Sequence, residues 1–309
     1  MFFCYIKSNN KLFLKQRNMK KNKILSLMLV CMLLTITSFA QDIKILRVPE
    51  KDSTKVLEGV TVTGYAPLPT DLVGEYKQPY WSEFRKSPNS RIYVQNTPGV
   101  VTYEHWQELR TYRTGSEMRT REELAFGLGH RWELDIYMLG LKTFNGNEGS
   151  FINRGISWEV RYALADWGKL WGNPTLYFEY QHLNNSYDVI EPKLLLGDAF
   201  GPKKNNIWSV NLVYEGNLAP HKDKTNEGQI TYSYQHIFSR NFSFGFSGQY
   251  ANAHERTNNY LDKSYDNLIG PSLQFRLNKN AYLDIEPMIG IGNSNKTSKT
   301  FVIFGWKFN

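Results

Sequence analysis

The chain has 309 residues, among them 37 Lys and Arg, 29 Asp and Glu, and two Cys. Seven of the basic residues, none of the acidic ones and both cysteines lie in residues 1–40, so the remainder has 30 basic residues, 29 acidic residues and no thiol. A nearly neutral remainder does not indicate nucleic-acid binding. The lack of thiols excludes disulfides and cysteine metal sites there.

Residues 1–40 have the pattern of a secretory signal peptide. A basic segment at residues 20–23 precedes an apolar run at residues 24–36, and small residues provide a cleavage site after Ala40. The apolar run is shorter than the roughly 20 residues that a membrane-spanning helix needs. We therefore expect export and cleavage, with Met19 as the true start; an uncleaved N-terminal anchor is the alternative.

Residues 41–98 hold six of the twelve prolines and show no sustained periodicity, which predicts an irregular segment. One short strand-forming run within it is Val60-Thr61-Val62-Thr63-Gly64. This run resembles the motif near the N-terminus of TonB-dependent receptors, and an extended peptide of this kind can add to the edge of a partner's sheet. Those receptors need a plug and a barrel of about 22 strands. Because the remaining length is too short for both, a local strand is the favoured interpretation.

Twelve segments after residue 98 alternate between apolar and polar residues with a period of two, which predicts β-strands. Trp158 and Val160, for example, flank Glu159. The predicted strands are residues 101–113, 122–129, 130–142, 155–164, 175–183, 187–196, 207–215, 229–238, 242–251, 269–277, 282–291 and 300–309. Most of these segments are longer than the average strand of a soluble protein, which has about 5–6 residues.

The last segment, residues 300–309, carries an aromatic-rich face at the end of the chain. The residues on this face are Val302, Phe304, Trp306 and Phe308. An edge strand of a soluble sandwich is one interpretation, but no soluble core is left to cover such a face. In a closed membrane barrel, by contrast, the face meets hydrocarbon and the last strand pairs with the first.

The sequence therefore predicts an all-β fold, namely a transmembrane antiparallel β-barrel of about twelve strands in residues 99–309. Residues 41–98 would form an irregular periplasmic extension or a partial plug of the lumen. Short turns are expected between some strands. Longer polar loops are expected at residues 145–154, 197–206, 218–228 and 252–267.

Two parts of the chain resemble known outer-membrane proteins. Residues 300–309 resemble the C-terminal signal strand of bacterial outer-membrane proteins, although Asn309 follows the usual terminal aromatic residue, here Phe308. Tyr80-Trp81 and residues 91–101 (RIYVQNTPGVV) resemble the approach to the first strand in the outer-membrane family named for the phenol-degradation "MetA pathway". These resemblances imply an outer-membrane location in a Gram-negative cell and recognition of the last strand by the barrel assembly machinery. They also imply passive passage of a small solute.

Nine residues on the polar faces of the predicted strands are candidates for lining the lumen. They are Glu133, Asp135, Glu159, Arg161, Glu179, Gln274, Arg276, Asp284 and Glu286. Charge in a lumen can select or hold a solute, but mixed charges also fill narrow barrels as paired networks. The carboxylates are expected to pair with Arg161 or Arg276.

No motif in the sequence indicates catalysis or a metal site. The six histidines lack zinc-ligand spacing, and the chain has neither a Gly-x-Ser-x-Gly motif nor a Gly-rich phosphate loop. His236 lies near Ser233 and Ser239, but the pattern provides no acidic partner. We therefore predict no catalytic residue, no cofactor and no metal.

The predicted function is that of a passive channel or transporter for a small solute. The expected partners are outer-membrane lipid, the barrel assembly machinery and a small-molecule solute, without nucleic acid. A non-conducting barrel that anchors or recruits a partner is one alternative, and an outer-membrane lipid hydrolase is another.

Overall fold

The computed structural model describes residues 72–73, 78–79, 98–145, 148–257 and 260–308. The predicted signal peptide, the TonB-box-like run at residues 60–64 and nearly all of the predicted extension or plug lie outside the described residues. Before residue 98, two short strands pair in antiparallel orientation, β1 (Leu72–Val73) and β2 (Gln78–Pro79).

Twelve further strands follow in chain order. They are β3 (Val101–Tyr112), β4 (Gly115–Gly129), β5 (Trp132–Asn145), β6 (Glu148–Ala163), β7 (Thr175–Leu183), β8 (Val189–Phe200), β9 (Asn206–Asn217), β10 (Thr225–Ser239), β11 (Phe242–Thr257), β12 (Tyr260–Arg276), β13 (Ala281–Gly290) and β14 (Lys296–Phe308). Each strand pairs with its neighbours in the chain, and all the pairings are antiparallel.

The last strand closes the barrel against the first of the twelve. β14 pairs with β3 over its full length, from Lys296 opposite Tyr112 to Phe308 opposite Val101. Closure leaves no sheet edge with unpaired backbone groups, which is what a lipid environment demands. The predicted closed antiparallel barrel of twelve strands is therefore confirmed.

The prediction of long loops is largely wrong, because the strands continue through most of these segments. β5 and β6 reach Asn145 and Glu148, and β11 and β12 reach Thr257 and Tyr260. The hydrocarbon core needs only about 9–11 residues of tilted strand, whereas β12 has 17 residues. Such strands project beyond the apolar layer, and there both faces are polar, so the alternation that predicts a strand disappears.

The distribution of side chains is that of a membrane barrel, with apolar residues outside and polar residues inside. Met138 and Ile289 are 60% and 64% exposed, whereas Glu104 and Glu123 are fully buried. On β14, Trp306 faces outward, as do Val302, Phe304 and Phe308, while Phe301 and Ile303 are buried inside. An outward apolar face and a buried polar one exclude the soluble sandwich that was the alternative.

Close packing inside the barrel depends on one glycine of the last strand. The ring of Tyr282 on β13 lies across Gly305 on β14, and a Cβ atom at Gly305 would come within 2.0 Å of that ring. Tyr282 packs with Trp106 and Ile303, and all three side chains are buried. Gly305 therefore leaves the space that lets a large ring lie flat against the inner wall.

Among the described residues, a 3₁₀ turn at His221–Asp223 is the one helical element. No helix in the described part of the chain has the length and apolar character needed to cross a membrane.

Candidate functional site in the barrel interior

The nine predicted lumen residues fall into two groups by burial. Seven of them are at most 3% exposed, namely Glu133, Asp135, Glu159, Arg161, Glu179, Asp284 and Glu286. Gln274 and Arg276 are half-buried. Gln274 accepts a hydrogen bond from Ser243 at 3.3 Å, and Arg276 donates to the carbonyl of Asn278 at 3.2 Å, in the turn that follows β12.

Arg161 on β6 is the centre of a buried charge network. Its guanidinium lies 3.2 Å from Glu133 and 3.1 Å from Asp135, both on β5, and it also contacts Glu159 two residues earlier on its own strand. Tyr137 donates a hydrogen bond to Glu159. Buried charges are tolerated only when they are paired. The network satisfies this requirement on the inner wall that β5 and β6 form.

Glu179 and Glu104 are also held by buried donors. Glu179 accepts from Tyr177 at 2.6 Å and from Ser157 at 2.8 Å. Glu104 accepts from the indole of Trp106 at 2.8 Å and from the hydroxyl of Tyr282. The predicted carboxylates and their neighbours thus form a packed inner wall.

A cavity of about 120 Å³ lies elsewhere in the interior and is lined by other residues. Its charged lining residues are Glu108, Arg110, Arg119, Arg121, Arg154, Glu191, Lys193, Glu215 and Lys299. They come from β3, β4, β6, β8, β9 and β14, so much of the ring of strands contributes to the lining. None of the nine residues predicted from the sequence lines this cavity.

Several of the lining charges are paired with one another. Arg110 donates two hydrogen bonds to Glu108, at 2.6 and 2.9 Å, and Lys299 lies 3.2 Å from the same carboxylate. Lys193 pairs with Glu191. Arg119 donates to Glu117 at 3.0 Å.

The character of the interior changes along the β3–β4 pair. Starting from the end nearest the C-terminus of the chain, the inward partners are Glu104 with Glu123, then Trp106 with Arg121, then Glu108 with Arg119. The same order holds on β14, where Gly305 lies towards that end and Lys299 away from it. The packed acidic wall therefore lies nearer the C-terminal end of the barrel, and the basic cavity lies beyond it.

The sequence contains weak signals for the cavity residues. Arg119 and Arg121 precede the predicted strand 122–129, Arg154 precedes the predicted strand 155–164, and Lys299 precedes the predicted strand 300–309. All four lie within observed strands, β4, β6 and β14. They were missed because the predicted strands began only where apolar alternation began.

The residues considered for a hydrolase do not form an active site. Ser233 is buried inside the barrel and shares a hydrogen bond of 2.7 Å with Ser209. His236 faces outward, where it contacts Asn206 at 2.8 Å and the ring of Phe238. Ser239 ends β10 and accepts from the backbone of Asn241. Among the described residues, no group of three or more His, Cys, Asp or Glu is placed to hold a metal ion.

No protein-family model matches the chain, and no curated protein sequence matches it either. Among solved structures, it is similar to the COG4313 outer membrane channel from Pseudomonas putida F1, with a TM-score of 0.54 at 8% identity, over 70% of this chain and 98% of that one. The NanC porin gives a TM-score of 0.47 at 13% identity, over 67% and 99% of the two chains. The translocator domain of the autotransporter NalP from Neisseria meningitidis gives 0.48 at 8% identity, over 70% and 91%.

At 8% identity, the similarity to the COG4313 channel establishes the fold alone. The chain has the fold of an outer-membrane β-barrel, which it shares with the COG4313 channel.

Proposed function

We propose that the protein is a passive outer-membrane channel for a small solute. The observation that carries this proposal is the cavity inside the closed barrel, which is lined by polar and charged side chains from many strands. A lumen of this kind lets a solute exchange its water shell for side-chain contacts during passage. The resemblance of Tyr80-Trp81 and residues 91–101 to the phenol-degradation family also supports passive passage, without naming the solute.

The route to the membrane is part of the same proposal. Residues 1–40 would direct export, and the barrel assembly machinery would recognise the outward aromatic face of β14, which includes Phe304, Trp306 and Phe308. Outer-membrane lipid would then cover the exposed apolar side chains of the barrel.

Conductance in planar lipid bilayers tests the channel directly. The refolded chain without its signal peptide should produce discrete conductance steps, and a version that also lacks residues 41–98 should do so as well. Steps from the shorter version alone would show that residues 41–98 act as a plug. Silence from both versions, after circular dichroism has shown β-structure, would contradict the proposal.

A further inference from the structure

The charged residues around the cavity are unbalanced. The lining set contains six Lys or Arg side chains and three Glu side chains, an excess of three positive charges. Two of the three lining acids already have donors of their own, since Glu108 has Arg110 and Lys299, and Glu191 has Lys193. The third, Glu215, makes no side-chain ion pair or hydrogen bond within the described residues. Arg119 is paired with Glu117, an acid outside this set, so an excess of two positive charges remains around the cavity.

Arg121 and Arg154 account for much of this excess. Within the described residues, neither side chain makes an ion pair or a hydrogen bond, and the guanidinium of Arg121 lies 5.9 Å from the ring centre of Tyr137. A guanidinium offers five N–H donors in a planar fork that matches the two oxygens of a carboxylate or phosphate. Two such forks without partners face the same small cavity.

A β-bulge brings Arg154 to this position. In the β5–β6 pairing, Leu139 lies opposite Gly155 and Gly140 lies opposite Asn153, so Arg154 is the extra residue. A bulge re-aims side chains. Without it, strict alternation would place Arg154 and Gly155 on different faces of the sheet.

The bulge is fixed by its neighbours. The Asn153 side chain accepts a hydrogen bond from the backbone N–H of Gly155 at 2.9 Å. A Cβ atom at Gly155 would lie 2.0 Å from the carbonyl oxygen of His182 on β7. Only glycine permits this close approach, so the local backbone is built to place Arg154 where it is.

We propose that the cavity is a binding site for small oxyanions, carboxylates or phosphates, and that Arg121 and Arg154 hold them. The claim that this site selects solutes rests on the proposed channel function. The claim that it binds oxyanions does not. The paired cations Arg110, Lys193 and Lys299 add to the positive potential, and Arg121 and Arg154 provide the free donors. A solute that crosses the barrel would therefore be preferred when it carries such a group.

Binding is measured first, on the whole protein in detergent micelles. Isothermal titration calorimetry with succinate and with inorganic phosphate, at constant ionic strength because salt screens charges, should show saturable binding, whereas glycerol should not bind. The stronger of the two anions identifies the group that the site prefers. The double variant Arg121→Gln/Arg154→Gln should bind that anion with an affinity lower by a factor of about ten or more, since hydrogen bonds to charged groups are lost.

Selectivity is measured next, from the reversal potential in a KCl gradient. The natural protein should favour chloride over potassium, and the double variant should lose most of this preference. Glu215→Gln should strengthen the preference, because Glu215 lines the cavity and makes no side-chain ion pair or hydrogen bond within the described residues. Arg256→Gln is the matched control, since Arg256 contacts His221 and does not line the cavity.

The outcomes separate this inference from the proposed function. Absence of anion binding in micelles, or unchanged binding and selectivity in the double variant, would overturn the oxyanion site while leaving the channel in place. Binding that depends on both arginines without any conductance would support the site and contradict the channel.

Discussion

Arg161 shows how single residues determine the stability of the barrel interior. Its side chain is fully buried and contacts Glu133, Asp135 and Glu159, and its guanidinium lies 5.4 Å from the ring centre of Tyr177. The three carboxylates would repel one another without a cation between them. One residue therefore offsets part of the negative charge that two adjacent strands contribute.

Replacement of Arg161 by Met should destabilise the protein by about 3–5 kcal/mol, because breaking a buried ion pair leaves uncompensated charge. Urea unfolding of the barrel in lipid vesicles, followed by tryptophan fluorescence, measures this difference. Arg131→Met is the control: Arg131 lies in the β4–β5 turn, 3.9 Å from Asp166, and exposed pairs contribute at most about 1 kcal/mol. Equal stability of the two variants would show that the network is not needed for folding.

At the scale of single strands, β13 and β14 pack closely because the large side chain of Tyr282 lies over Gly305, which has none. Tyr282 reaches over Gly305 and donates to Glu104 on β3, so one side chain joins three consecutive strands of the closed barrel. This arrangement lies where the end of the chain meets its beginning. Closure therefore depends on shape as well as on backbone hydrogen bonds.

The variant Gly305→Ala should cost about 1–3 kcal/mol, since an added methyl group overpacks the contact with Tyr282. The same substitution at Gly228 on β10, where a Cβ atom would meet nothing within 4 Å, is the control and should cost less. In a Tyr282→Ala background the cost of Gly305→Ala should shrink, which a double-mutant cycle of unfolding free energies measures. Independent, additive effects would refute the proposed contact.

The strands also show how far the sequence predicts the fold and where it stops. β7 has the predicted limits, Thr175 and Leu183, because the outward residues Leu176, Phe178 and Tyr180 alternate with buried ones along most of the strand. The predicted strand 242–251 stops six residues short of Thr257, since outside the hydrocarbon layer no contrast between faces remains. Four of the cavity residues, Arg119, Arg121, Arg154 and Lys299, escape prediction for a related reason, because they lie just before the apolar alternation begins. The bulge at Arg154 depends on pairing with β5, which no local pattern encodes.

At the scale of the whole molecule, the interior is divided along its axis. The acidic wall around Glu104 and Glu123 lies towards the C-terminal end, and the basic cavity around Arg119 and Lys299 lies towards the other. The wall is packed and internally paired, so a solute would meet it as a fixed surface. The cavity, in contrast, has guanidinium groups that face open space.

This order of charge has an electrical consequence. An anion driven from the cavity end first reaches a region of positive potential, whereas one driven from the opposite end first meets the carboxylates, so the barrier differs with direction. Single channels should therefore rectify, passing unequal currents at equal voltages of opposite sign, and the asymmetry should grow in dilute salt, where the Debye length is long. Arg121→Gln/Arg154→Gln channels should rectify less than the natural protein, because two of the positive charges at the cavity end are lost. Two arginines would thus set how strongly the barrel favours one direction of current.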